Sequence, residues 1–202
     1  MIIYDKIIQG TPEWLDIRSK KMTASHATAI ASNGKGLETY INTLMSEYYS
    51  IDKEQKSFKS KDMERGNELE PVARALYSLE QEVEVYEVGF IELDENVGCS
   101  PDTLVEKDGG LEIKCINDFK FFMLLMEGIE KILSDYKWQI QMCLYVTSRK
   151  WWDLAIYCPN YKKTLLIHRF YPDQECFKKL EIGLSTGKEK IKLIEAKYNS
   201  IK

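Results

Sequence analysis

Ser100-Pro101-Asp102 and Leu111-Glu112-Ile113-Lys114, with Lys107-Asp108-Gly109-Gly110 between them, decide how this chain is read. An acid followed by paired glycines signals a hairpin, so the flanking stretches are expected to form antiparallel neighbours. Side chains alternate along a strand, which puts Glu112 and Lys114 on one face and Leu111 and Ile113 on the other. Whether Asp102 joins Glu112 depends on register. A two-residue Asp108-Gly109 loop pairs Thr103 with Lys114 and turns Asp102 to the wrong side. A three-residue loop, Lys107 to Gly109, pairs Asp102 with Lys114 and brings both acids to one face, using a left-handed glycine. Joint action of the two acids therefore requires an odd loop, or a bulge with the same effect.

Two carboxylates converging on one point repel unless a cation lies between them, and oxygen-only ligands favour Mg²⁺ or Mn²⁺. Such an ion polarises a phosphodiester and acidifies a bound water, while the Lys114 ammonium orients that water or steadies charge on the phosphate. That is hydrolytic phosphodiester chemistry. A plain reading stands beside it, a hairpin with ordinary surface charges, because short strings of this type recur by chance.

Working outward, Thr11-Pro12-Glu13 reads as a helix start, with Trp14, Leu15 and Ile17 as its apolar side. A short helix follows Thr23-Ala24-Ser25, Gly34 and Gly36 mark a break, and Leu37 to Tyr49 is helical. Ile51 to Lys61 reads as an exposed loop, mobile when nothing is bound. Glu64 to Leu79 is helical, with a kink or new start at Pro71. Strands are expected at Val83–Tyr86, Gly89–Leu93, Cys99–Glu106, Leu111–Ile116, Trp151–Cys158 and Thr164–Tyr171. Helices fall at Asp118–Gly128 and Ser134–Thr147, and a charged helix from Asp173 is interrupted near Gly183 or Gly187. Helices around a central, largely antiparallel set of strands predict a mixed α/β layer fold.

The chain has 202 residues, enough for one domain spanning 1–202 with a full core. It carries 28 lysines and arginines against 32 acids, a net charge of −4, which excludes a globally basic nucleic-acid coat but not a local basic groove. Five scattered cysteines form no CxxC, and two histidines are too few for a histidine-rich metal site. No apolar run suits a membrane span and the N-terminus does not read as a signal peptide, so a cytoplasmic location is expected.

Several motifs in order then resemble one family. They are Trp14-x-x-x-Arg18 with Thr23-Ala24-Ser25, Arg65-Gly66-x-x-x-Glu70, Ser100-Pro101-Asp102, Leu111-Glu112-Ile113-Lys114-Cys115, and Tyr136-x-x-Gln139-x-Gln141. The chain resembles the PD-(D/E)XK nucleases, and within them the lambda-exonuclease group of YqaJ-like viral recombinases, from about Trp14 to Thr147. The resemblance implies a restriction-endonuclease-like core with a central mixed sheet flanked by helices. It implies that Asp102, Glu112 and the Ile113 carbonyl hold one Mg²⁺ or Mn²⁺, that Glu70 helps hold a second, and that Lys114 acts on the attacking water. Gln139, with Tyr136 nearby, orients the nucleophile or the scissile phosphate. Arg18, Thr23 and Ser25 form a pocket for a terminal 5′-phosphate, and Lys120 is the best match to a further basic DNA contact. It further implies 5′→3′ digestion of double-stranded DNA ends to 3′ overhangs, a single-strand annealing protein as partner, a homotrimeric ring, and a phage or bacterial origin.

Plain readings remain for the parts. Arg18 pairs with Asp16 or Glu13 on a surface helix, Thr23 and Ser25 are helix caps, and Glu70 shares a solvated face with Glu64 and Glu68. Gln141 and Cys115 are structural, and His168 is a strand residue. His26 is not counted among the DNA contacts. The lysines from Lys178 to Lys202 form a DNA track, a solvated amphipathic helix or a subunit contact. Of Trp151 and Trp152, one is core and the other an interface candidate. The competing functions are an endonuclease of the same fold and a non-catalytic DNA-end-binding module.

Overall fold

A computed structural model describes residues 1–51 and 61–201, so most of the stretch expected as a mobile loop lies outside the described residues. Strand β1 (Ile2–Tyr4) leads into helix α1 (Pro12–Arg18), strand β2 (Met22–Thr23) and one 3₁₀ turn (Ala24–His26). Helices α2 (Ala27–Ser32), α3 (Lys35–Tyr49) and α4 (Lys61–Gln81) follow. Strands β3 (Val85–Tyr86), β4 (Phe90–Asp94), β5 (Val97–Cys99), β6 (Thr103–Val105) and β7 (Gly109–Cys115) precede helices α5 (Asp118–Glu127) and α6 (Glu130–Thr147). Strands β8 (Trp151–Tyr157) and β9 (Leu165–Phe170) and helix α7 (Gln174–Asn199) complete the order.

The strands form two mixed sheets, β1-β4-β5-β2 and β3-β6-β7-β8-β9. The central pair of the larger sheet, β7 and β8, is parallel, where the sequence reading expected antiparallel neighbours. Parallel partners need a crossover, and α5 and α6 supply it. Leu111 and Ile113 face α4 and pack with Ala73, Tyr77 and Ala155. The opposite face carries Trp152, Leu154 and Ile156 against α6, in a larger core that α2, α3 and α7 also enter.

The β6–β7 hairpin has the odd loop that the two acids require, but one residue earlier than expected. Val105 pairs with Gly109 and Thr103 with Leu111, leaving Glu106 to Asp108 as the loop. Glu106, not a glycine, takes the left-handed conformation, at φ 42°. The glycines have another task. A Cβ on Gly109 or Gly110 would come within about 2.2 Å of the ring of Trp151 or Trp152, so both belong to the strand and clear space for indole. Arg149 then fastens the turn, donating from Nη1 to the carbonyls of Val105, Glu106 and Gly109.

Close approach also explains why α7 runs unbroken through Gly183 and Gly187. A Cβ at Gly183 would lie 1.9 Å from the Ile30 carbonyl oxygen, and one at Gly187 2.4 Å from the Met22 sulfur. Both positions let α7 sink against α2 and β2. Pro71 likewise sits inside a continuous α4. The lysines of α7 favour the amphipathic-helix reading: Lys188 pairs with Asp94 at 2.6 Å and Lys178 with Glu175 at 2.8 Å, while Cys176, Leu180, Leu184 and Ile191 are buried.

Asp173 caps α7, accepting from the amides of Glu175 and Cys176 while Lys137 of α6 reaches it at 3.0 Å. The hydrogen bond from Lys137 first, and the Cys176 contacts next, pull its carboxyl down to about 2. Asp173→Ala is expected to lower stability by about 1 kcal/mol, the worth of a good cap. Because the folded pKa is depressed, the benefit is complete above the unfolded value of about 4 and is lost as pH falls towards about 2. Urea titrations of both proteins should therefore converge on acidification. A gap that stays constant from neutral to acidic pH would disprove it.

Candidate active site

Strand β6 begins only at Thr103, opposite Leu111, while β7 runs on to Cys115, leaving a notch beside the last residues of β7. Continuing the register carries Asp102 opposite Glu112. Asp102 fills part of the notch, its Oδ2 accepting from the Ile113 amide at 2.7 Å. A strand residue's amide and carbonyl point to the same edge, so the Ile113 carbonyl faces the notch as well.

Glu112 is 1% exposed. Its Oε1 accepts from the Lys114 ammonium at 2.6 Å and from the Gln139 side-chain amide of α6 at 2.5 Å. Its Oε2 is buried with no hydrogen-bond partner. A buried carboxylate oxygen left orphaned is costly. Lys114 is also 5.0 Å from the centre of the Tyr136 ring. The structure thus brings together Asp102, Glu112, Ile113, Lys114, Gln139 and Tyr136.

Electrostatics at this point are unbalanced. Burial first, then the Glu112 carboxylate, pushes the Asp102 carboxyl well above the usual range, against the pull of Lys114. For Lys114, burial works to remove the proton, but Glu112 and Asp102 outweigh it and hold its pKa above the ordinary lysine value. One lysine does not neutralise two acids, Glu112 buried and Asp102 half-buried. The orphaned Oε2, the Asp102 carboxyl and the Ile113 carbonyl form an all-oxygen donor set of the kind a hard divalent cation takes.

Glu70 approaches from the α4 face but is bonded to Arg74 at 2.6 Å, and Arg74 also pairs with Glu87. Burial raises its pKa against the opposing charges of Arg74 and Lys114, which places it within electrostatic reach of the site. Among the described residues, no three acidic, histidine or cysteine side chains already converge as a metal cage. Lys120 is exposed on the first turn of α5, whose start Asn117 caps. Gln141 is structural, as expected: it donates to the Tyr171 carbonyl and accepts from the Asp173 amide.

A second cluster adjoins the first. Arg18, at the end of α1, stacks on Trp14 at 4.0 Å and donates to the Ser100 hydroxyl at 3.1 Å. Neither contact carries negative charge, and burial lowers the pKa of the guanidinium, with Tyr40 and Cys99 opposing. Thr23 makes no side-chain cap; its hydroxyl lies 3.3 Å from that of Ser25. The plain cap reading therefore fails for Thr23. Ser100 was missed from sequence, although it stands two residues before Asp102 in the same motif. That short link sets the Ser100 and Asp102 backbones no more than about 7 Å apart.

With this geometry in hand, the sequence profile of the YqaJ-like viral recombinase domain matches residues 13–150, about two-thirds of the chain. The chain belongs to the YqaJ-like viral recombinase family. The matched span covers every residue of both clusters. No curated protein matches the sequence. Among solved structures, an alkaline exonuclease from Laribacter hongkongensis, LHK-Exo, superposes with a TM-score of 0.78 at 28% identity, covering 95% of this chain and 100% of that one. The same enzyme in complex with dAMP gives the same values. A phage-related exonuclease from Haemophilus somnus 129PT superposes at 0.72 with 12% identity, over 88% of this chain and 96% of that one, a likeness of fold. The mixed α/β core expected from the motifs is thus the core of this recombinase family and of these exonuclease structures.

Proposed function

We propose that this YqaJ-like protein is a Mg²⁺- or Mn²⁺-dependent exonuclease that digests duplex DNA from its 5′ ends and leaves 3′ single-stranded overhangs. An exonuclease of the alkaline type is what the family and its structural neighbours support. One observation supports the finer reading: the Arg18 guanidinium donates to the Ser100 hydroxyl at 3.1 Å, two residues along the chain from Asp102, and we read this pair as the seat of an anion. An end-phosphate seat beside a cleavage site limits cutting to the terminus.

In this reading Asp102, Glu112 and the Ile113 carbonyl would hold one divalent ion, and Glu70, now paired with Arg74, would help to hold a second. Ions bound there would supply polarisation of the scissile phosphate and a more acidic water. Lys114 steadies charge on the phosphate or orients the attacking water, Gln139 fixes the Glu112 carboxylate, and Tyr136 flanks the Lys114 ammonium. Arg18, Ser100, Thr23 and Ser25 receive the terminal phosphate, a guanidinium fork with hydroxyl donors, and Lys120 contacts the DNA backbone. A strand-annealing protein as partner and a ring of three subunits complete the proposal; a ring would let an acidic protein present its basic groups to enclosed DNA.

The test is digestion of end-labelled linear duplex carrying a phosphate on one 5′ end only. The phosphorylated end should be consumed first, and only with divalent metal. Arg18→Ala should bring the rates at the two ends together, a loss of about tenfold or more in discrimination, the worth of a charged hydrogen bond. Equal use of both ends by the wild type would point to an endonuclease or another end-independent nuclease. Metal-independent binding without product would mark a binding module instead.

A further inference from the structure

The end-phosphate seat leaves one neighbour unassigned. The His26 imidazole lies flat on the Tyr40 ring, centroids 4.0 Å apart and planes 8° from parallel. Its Nδ1 is 3.2 Å from the Ser25 hydroxyl, so Thr23, Ser25 and His26 make a polar chain beside Arg18. One face of the ring is covered by Tyr40 while the residue as a whole stays open to solvent, and among the described residues nothing bonds its other nitrogen, Nε2. We propose that His26 is a specificity-determining contact for the 5′-phosphate, donating from its protonated ring to the phosphate that Arg18 holds. The inference rests on the end-phosphate reading of this pocket and adds to it a dependence on pH.

The environment sets the direction. In the protein alone, burial first and the Arg18 charge second push the imidazole below its ordinary value, so the ring is neutral at pH 7. A phosphate dianion placed against Arg18 reverses the local sign and favours the imidazolium. The Tyr40 face supports that form by a cation–π contact. Other groups around the turn do not compete. Tyr40 of α3 is pushed up by burial and stays neutral. Cys143 of α6 is pushed well up, first by its hydrogen bond with Cys99 of β5 and then by burial. The short helix α2 carries no titratable side chain. Near neutrality, His26 and the phosphate itself, with a second pKa of about 6, are the groups that change charge.

The experiment measures kcat/KM for a 5′-phosphorylated duplex divided by that for its 5′-hydroxyl twin, from about pH 8.5 down to about pH 6. The ratio cancels the pH dependence of the cutting step, which both substrates share. In the wild type it should climb about tenfold on acidification, the scale of one charge-assisted hydrogen bond. In His26→Gln it should stay flat or fall, with an unchanged melting temperature as the sign of an intact fold. His26→Arg, charged throughout, should keep the ratio high across the range. Arg18→Ala separates the two layers of argument. If it leaves the wild-type ratio intact, the pocket reading fails and takes His26 with it. If Arg18→Ala abolishes the preference while His26→Gln keeps the wild-type pH profile, the His26 inference alone is overturned.

Discussion

Replacing Glu112 with glutamine is expected to lower nuclease activity by at least about 10³-fold, equivalent to about 4 kcal/mol of transition-state stabilisation. The change keeps the side chain's shape and much of its packing, and removes the charge that Lys114 and Gln139 are organised around. Asp102→Asn should fall as far, because its carboxyl is the other half of the pair. The two defects should not multiply, since either one dismantles the same centre. Stability separates this from misfolding. In the metal-free protein the buried Glu112 and half-buried Asp102 repel, with Lys114 compensating only in part, so Asp102→Asn should melt at or above the wild-type temperature. Added Mg²⁺ should raise the melting temperature of the wild type alone, because an ion that binds only the folded state stabilises it by mass action. Thermal scans with and without Mg²⁺ beside a nuclease assay decide the matter. An active Glu112→Gln protein, or one whose inactivity tracks a collapsed melting temperature, would refute this account of the site.

Much of that centre could be read before any coordinates, for a physical reason. The period of a strand is two, so Glu112 and Lys114 had to share a face, and Asp102 could join them only through an odd loop. The parity held. The position of the loop did not, because Gly109 and Gly110 resemble turn residues until the indoles of Trp151 and Trp152 are seen lying across them. The same confusion broke the final helix on paper at Gly183, where the absent side chain in fact makes room for the Ile30 carbonyl. Glycine needed for space and glycine needed for φ look identical in a sequence. Strand pairing across the long crossover was also hidden, since the order of β7 and β8 depends on distant packing rather than on either strand. Ser100 and the buried Asp153 of β8, which Arg169 and Tyr77 hold, were both missed, the first for a physical reason. Ser100 gains its meaning from Arg18, 82 positions away, whereas an acid inside Trp151-Trp152-Asp153-Leu154-Ala155-Ile156 was a visible signal of a buried partner.

Asp153 should prove the most stability-sensitive polar position outside the active centre. It is fully buried on β8, where Arg169 of the neighbouring strand grips both its oxygens at 2.8 Å and the Tyr77 hydroxyl of α4 donates to it at 2.7 Å. The Arg169 guanidinium in turn lies 3.7 Å over the Trp151 ring. Burial first, and Asp153 next, push the Tyr77 phenol above its ordinary value, so it remains a donor at every working pH. Asp153→Ala leaves the buried Tyr77 hydroxyl without its acceptor, while the more exposed Arg169 turns to water, and a buried donor left unpaired costs about 1–3 kcal/mol. Against a typical total of about 5–15 kcal/mol, that is a loss urea unfolding resolves. Tyr77→Phe removes one donor and should cost about 1 kcal/mol in the wild type. On the Asp153→Ala background it should cost almost nothing, since the acceptor is already gone. Urea unfolding of the four proteins measures that coupling. Because the same contact pins α4, the helix that carries Glu70, loss of Asp153 should also weaken activity in the fraction that stays folded. Additive costs for Asp153→Ala and Tyr77→Phe would show that the two groups do not work as a pair, and that α4 is held to the sheet by apolar packing alone.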